Sequence, residues 1–421
     1  MRRHLIIYIL MVYCIKTYAT DLSFSSQPPD TSSHIGFSVS AMPARLIVMD
    51  KWQKKWQRTK NSFSLSAEIN YSPTPNDSNA FASDYNYPVF GFGIKFSRNE
   101  ITMHRLSDPA WGMAQEVDYN SRLGNIATAY ATFTRPIYRN RRWMFDYMLG
   151  SGIGYGKHKY NNPSNIDNEL TGSRFLVYFT AGAHATYRFS PSWGVSAGVE
   201  FFHHSNGALN RPNKGANLVG PTIALRYMPY YKAVEDRNAN IVKKPFQKQL
   251  YANLTLGIGG KTLNEDWQLT QFHTPPDSAR YRTNRFHFYT AYSAQADLMY
   301  RYARRWASGI GADLFYGTYA DHVEQLDKQA GHNVKHSPWS VGVSLKHRVY
   351  YQNWSAAMSL GYYLYRHMGV NAKEVEKPYY ESIGIHYTFP ALRGLTIGCN
   401  IRAHMTKADL TEFVVSYPIE L

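Results

Sequence analysis

Cysteine is almost absent from this 421-residue chain, which holds only Cys14 and Cys399. The first of them lies in a segment that reads as a signal peptide. Arg2 and Arg3 supply a basic start, and residues 5–15 form an apolar stretch too short to cross a bilayer as a helix. Thr17-Tyr18-Ala19 offers small residues on either side of a cleavage position, so residues 1–19 are expected to be removed after Ala19. Cys14 lacks the small residues that precede a lipoprotein cysteine. Once it is gone, Cys399 can form no internal disulfide and no cysteine-based zinc cluster. Nowhere later does the sequence contain an apolar run of about eighteen residues, which excludes a transmembrane helix. The sixteen histidines form no H-E-x-x-H pattern, so no metal site is expected. Gly260-Lys261-Thr262 lacks the earlier glycine of a phosphate-binding loop, because that position is Thr255. No cofactor is implied.

What the chain does have is alternation. Residues 176–189 place Val177, Phe179, Ala181 and Ala183 on one face and Tyr178, Thr180, Gly182 and His184 on the other. The same period of two runs through 292–301 and 339–348. Gly150, Gly152, Gly154 and Gly156 read as small residues on the hidden side of such a strand. A soluble sandwich also alternates. Long strands with small and charged residues on the hidden side fit a lipid-facing barrel better. A mean hydropathy of −0.43 agrees with this, since only every second strand residue meets lipid. Aromatics make up 15% of the chain, including 34 tyrosines. Four short polar turns are each followed by tryptophan, at Trp143, Trp193, Trp306 and Trp354. One tryptophan per hairpin at one height is the pattern of an interfacial girdle. Short turns belong on the periplasmic side, with the longer polar segments outside.

The expected fold is therefore all-β: a single antiparallel transmembrane β-barrel of about 14–16 strands with a polar lumen and short periplasmic turns. It would fill residues 20–421 with no internal domain boundary, in the outer membrane of a Gram-negative cell. Segments 36–46 and 48–60 are the least strand-like parts of that count, and the basic stretch 232–247 reads as a periplasmic turn. A net charge of +16 calls for an anionic partner. Nucleic acid is excluded for a secreted chain with no nucleic-acid motif, which leaves phosphorylated lipid. The oligomeric state is not legible, because a barrel exterior meets lipid either way.

One strand ends unusually. Trp193, Val195, Ala197, Val199 and Phe201 share an apolar face, and His203 and Ser205 continue it toward the outer leaflet. An imidazole beside a hydroxyl is the arrangement a serine nucleophile needs. In the next strand, Asn217 shares the parity of Val219, Pro221 and Ile223, so it can lie beside His203 and accept from its ring N–H. Asn206 and the backbone at Gly207 are the candidate oxyanion donors. The same parity also allows a plainer reading, a polar strand end at the membrane interface. Lys157, Lys159, Arg211 and Lys214 stand in the outer loops as candidate phosphate ligands.

His203-His204-Ser205-Asn206-Gly207 followed by Pro212-Asn213-Lys214-Gly215-Ala216-Asn217 resembles the signature of outer-membrane lipid A 3-O-deacylases, the family that includes acyloxyacyl hydrolases. The likeness covers most of 86–228, with Tyr87 to Gly93 and Leu123-Gly124-Asn125 as flanking matches. Arg402-Ala403-His404, Asp409 and Glu412 extend it weakly into the C-terminal half. The resemblance implies a serine esterase that removes an ester-linked acyl chain from lipid A, with Ser205 as nucleophile and His203 as base. Relatives carry Glu as the third member where this chain has Asn217, a departure that leaves the base less polarised. The small enzymes of the family are eight-stranded barrels, so the resemblance assigns no role to the last 190 or so residues. The competing expectation is a non-catalytic barrel, a channel or a structural protein, that retains the motif.

Overall fold

The computed structural model describes residues 33–421, apart from 51–52, 76, 78, 105–120, 163, 236–244 and 406. The expected signal peptide, residues 1–19, lies outside the described residues. Eighteen strands occur among those described, and sixteen of them build two closed antiparallel barrels of eight strands each.

The first barrel holds β1 (Ile35–Leu46), β2 (Asn61–Tyr71) and β3 (Val89–Glu100). A two-stranded ribbon, β4 (Thr102–Met103) and β5 (Ser121–Arg122), stands outside it. The wall continues with β6 (Ile126–Arg139), β7 (Trp143–Gly156), β8 (Phe175–Arg188), β9 (Trp193–Ser205) and β10 (Ala216–Tyr227). Closure comes from β10 pairing with β1, in a register that sets Tyr227 opposite Phe37 and Val219 opposite Arg45. The second barrel holds β11 (Gln249–Lys261), β12 (Tyr289–Ala303), β13 (Trp306–Gly317) and β14 (His336–Tyr351). It continues with β15 (Trp354–Met368), β16 (Tyr379–Phe389), β17 (Leu395–His404) and β18 (Lys407–Glu420), and closes by β18 pairing with β11.

The expectation of one large barrel is thus corrected. Parity along each strand is the same whether sixteen strands close once or eight close twice. Which free edges meet is a long-range choice, and here β10 meets β1. The basic stretch 232–247 falls between the two barrels, and its described start is a short helix, Tyr231–Glu235. Segment 36–46 is indeed strand. The described part of segment 48–60 is not, and carries the short helix Gln53–Trp56.

Alternation holds along each wall. In β3, Phe92 and Ile94 are 65% and 69% exposed on the outer face, while Lys95 and Ser97 are 4% and 0% exposed inside. Outward side chains form an apolar band, and closure leaves no unpaired sheet edge for hydrocarbon to meet. No helix among the described residues is long and apolar enough to cross a membrane. The four tryptophans open β7, β9, β13 and β15 as expected. Trp193 lies 5.0 Å from Tyr227 and Trp143 5.1 Å from Tyr187, and Trp354 sits 4.9 Å from Tyr387 in the second barrel.

Eight strands make a bore that side chains can fill. In the first lumen Lys95 lies 3.4 Å from Glu200, Glu200 3.2 Å from His184, His184 2.9 Å from Asp146, and Asp146 3.1 Å from Arg226. The cavity left among them is about 50 Å³, room for a few waters. Gly154 makes space there, since a β-carbon would stand 2.9 Å from the His204 ring. In the second lumen Lys346 bridges Asp313 at 2.8 Å and Asp297 at 3.4 Å.

The barrels meet at both ends. At the tryptophan end Tyr85 donates to the Tyr350 carbonyl at 2.8 Å, and Arg304 pairs with Asp84 at 3.0 Å. At the loop end Tyr160 donates to the Arg282 carbonyl at 2.9 Å.

Two expectations follow from the filled bores. Lys346→Met strands two buried carboxylates and lowers unfolding stability by about 3–5 kcal/mol, read from urea unfolding in detergent. Purified protein in planar bilayers shows no steady porin-like conductance.

Candidate functional site

The strand β9 rises from Trp193 to the loop end, which fixes which side chains reach the rim. Glu200, Phe202 and His204 turn inward, and His204 is fully buried with Nε2 3.0 Å from the Thr128 hydroxyl. His203 turns outward. Antiparallel pairing places Asn217 of β10 directly opposite it. The His203 Nδ1–H donates to Asn217 Oδ1 at 2.7 Å. That bond selects the tautomer whose Nε2 is a free acceptor, the state a general base requires.

Gly215 sits on the ring. Its φ is +73°, and a β-carbon there would stand 2.5 Å from His203 Cε1. In the sequence this glycine stands out only as part of the motif. Its left-handed φ and its closeness to the ring emerge only when the loop is folded back.

Ser205 departs from expectation. It has outward parity, opposite Val177 of β8, yet it is only 6% exposed. Two residues on, a β-carbon at Gly207 would lie 3.3 Å from Val177 and 3.0 Å from Thr411 of the second barrel, so the strand end is flanked by both barrels. No hydrogen bond joins His203 to Ser205 among the described residues. Such bonds commonly tighten only with substrate bound.

Asn206 also differs. Its side-chain oxygen accepts from Gly172 N and Ser173 N, each at 3.2 Å, and from Ser173 Oγ at 3.0 Å. Its amide donates to the Pro212 carbonyl at 2.6 Å and the Asn210 carbonyl at 3.2 Å, and its backbone N–H donates to Asn213 Oδ1 at 2.7 Å. Every donor on Asn206 is engaged in stapling the 206–215 loop, so it has none left for a substrate. The backbone N–H groups of Gly207 and Ala208 donate to no protein acceptor among the described residues.

The loop cations divide in two. Lys214 pairs with Glu169 at 2.8 Å and Asp50 at 3.4 Å, and Arg211 donates through Nε to the Thr262 carbonyl at 3.0 Å. Both are thereby corrected as free phosphate ligands. Lys157 and Lys159 remain. Burial, with Arg174 nearby, holds the Lys159 ammonium below the usual lysine range. Burial, with Arg122 and Lys157, likewise lowers His158. Burial is the larger cause in both, and the neighbouring cations add to it.

Glu376, His404 and Asp409 bring potential ligand atoms within 4.8 Å of one another at the loop end of the second barrel. Lys261 pairs with Asp409, Arg366 pairs with Glu376, and Arg402 lies 3.6 Å from Asp409. With these cations already paired to both carboxylates, the cluster is an ion-pair knot unsuited to a divalent metal.

Two family models match the chain. One, described as lipid A 3-O-deacylase, covers residues 41–226, and the other, described as acyloxyacyl hydrolase C-terminal domain, covers residues 250–421. The boundary between them falls where the two barrels part. Among solved structures, the outer-membrane enzyme PagL aligns at 12% identity over 45% of this chain and 98% of that one, with a TM-score of 0.27. A BenF-like porin from Pseudomonas fluorescens Pf-5 aligns at 10% identity over 92% and 98%, with a TM-score of 0.21. No curated protein matches.

Gly215→Ala is expected to push the His203 ring off its position and to slow ester hydrolysis about tenfold or more. Heat-modifiable gel mobility, the mark of a folded barrel, should persist.

Proposed function

The chain belongs to the lipid A 3-O-deacylase family and carries that family's acyloxyacyl hydrolase C-terminal domain; from this premise we propose that it is a serine esterase of the outer leaflet with Ser205 as nucleophile. As an outer-membrane hydrolase of lipid A, it needs a nucleophile and base at the height of the acyl esters. The observation that carries the reading is the 2.7 Å bond from His203, two positions before Ser205, to its register partner Asn217.

In the proposed reaction the Ser205 hydroxyl attacks the ester carbonyl while His203 Nε2 takes its proton. Asn217 holds Nδ1–H and keeps the ring in place. The carbonyl oxygen, now anionic, accepts from the Gly207 N–H, a role that passes from the Asn206 side chain to the backbone beside it. His203 returns the proton to the departing sugar hydroxyl. Water then attacks the acyl-serine by the same route and frees the fatty acid. Lys157 and Lys159 attract the lipid A phosphates.

A second reading, a barrel that keeps the motif without turnover, draws on Asn217. A neutral amide stabilises the imidazolium less than a carboxylate does. The filled bores disfavour the channel form of that reading.

One experiment decides between the two. Wild-type protein and Ser205→Ala are expressed in a Gram-negative host lacking its own deacylase, and lipid A is weighed by mass spectrometry. The wild type is expected to remove one acyl chain and Ser205→Ala none. Full acylation with folded wild type would sink the esterase reading. Asn217→Ala is expected to slow the wild-type rate about 10–100-fold.

A further inference from the structure

The loop that carries Gly207 is held from outside its own barrel. Gly207 and Ala208 adopt φ of +60° and +66°, two consecutive left-handed residues. A β-carbon disfavours that region, so Ala208 persists there only where its surroundings hold it. Ala208 is fully buried. What holds both residues is the second barrel. The Thr411 hydroxyl, on the outer face of β18, donates to the Gly207 carbonyl. Thr262, at the end of β11, donates to the Ala208 carbonyl through its backbone N–H at 3.0 Å and through its hydroxyl at 3.2 Å. Arg211 of the same loop reaches back to the Thr262 carbonyl at 3.0 Å.

Planar peptides convert these bonds into control of two N–H groups. The Gly207 carbonyl and the Ala208 N–H share one rigid plane, so Thr411 sets the direction of the Ala208 N–H. The Ala208 carbonyl shares a plane with the Leu209 N–H, which donates to the Asn206 carbonyl at 3.2 Å. The Asn206 carbonyl shares a plane with the Gly207 N–H. Thr262 therefore sets the Gly207 N–H through two linked planes. These are the two loop N–H groups beside Ser205 that have no protein acceptor among the described residues.

We propose that the second barrel is a clamp for the Gly207–Ala208 turn, and that Thr411 and Thr262 are positioning residues that aim its N–H groups at the oxyanion. The proposal rests on reading Ser205 as the nucleophile. It gives the C-terminal barrel a task in hydrolysis without a catalytic residue of its own.

The test compares Thr411→Val, which keeps shape and loses the donor, with Thr411→Ser, which keeps the donor. Full-length proteins are treated with an alkyl fluorophosphonate, and Ser205 labelling is timed by mass spectrometry alongside lipid A turnover. Thr411→Val is expected to label about tenfold or more slowly and to lose kcat with KM within about twofold, while Thr411→Ser restores both. Labelling of Thr411→Val at the wild-type rate overturns the clamp alone. Failure of the wild type to label at Ser205 overturns the esterase reading and the clamp with it. Should Thr411→Val not reach the folded gel mobility, Arg211→Gln takes its place, with about threefold slower labelling expected and wild-type labelling counting against the clamp.

Discussion

A strand edge cannot be left open to hydrocarbon, where each unpaired N–H or carbonyl costs several kcal/mol. Everything in this molecule follows from where its edges close. Closure of β10 on β1 after eight strands, and of β18 on β11 after eight more, sets the bore, the lining and the rim. A narrow bore brings opposing charges within reach of one another, so Lys95, Glu200, His184, Asp146 and Arg226 form one connected chain across it. A wider barrel would have left the same residues facing water.

Closure also decides which side chains can serve chemistry. Inward-facing His204 is locked against Thr128, and its neighbour His203 is turned to the rim by the pleat alone. The β9–β10 pair then sets Asn217 against His203 without any loop being consulted. The loop contributes what strands cannot: left-handed residues at Gly207, Ala208 and Gly215, and a backbone folded back over the imidazole. Asn206 holds that loop from within its barrel, and Thr411 and Thr262 hold it from the neighbouring barrel. The proposed esterase centre thus draws on both barrels, although its nucleophile, base and orienting residue all belong to one.

Much of this was legible in residue order. Period-two alternation marked the wall strands, and Trp143, Trp193, Trp306 and Trp354 marked the ends at which hairpins turn. Parity put His203 and Asn217 on one face, and the 2.7 Å bond between them is what that parity requires once the strands pair in register. Local periodicity is a property of the chain itself, because the pleat sends successive side chains to opposite faces in any sheet. Gly150, Gly152 and Gly154 were readable as lumen residues for the same reason.

The rest depended on contacts between residues far apart in the chain. Whether sixteen strands close once or twice turns on whether β10 finds β1 or continues to β11, and both choices satisfy the same alternation. The burial of Ser205, the pairing of Lys214 with Glu169 and Asp50, the tie of Arg211 to Thr262 and the reach of Thr411 across to Gly207 all join segments distant in the chain. Residue order by itself determined which face each side chain takes, since that is set one residue at a time. Only the tertiary structure decided which faces meet, since closure is a pairing of distant edges that no local pattern encodes.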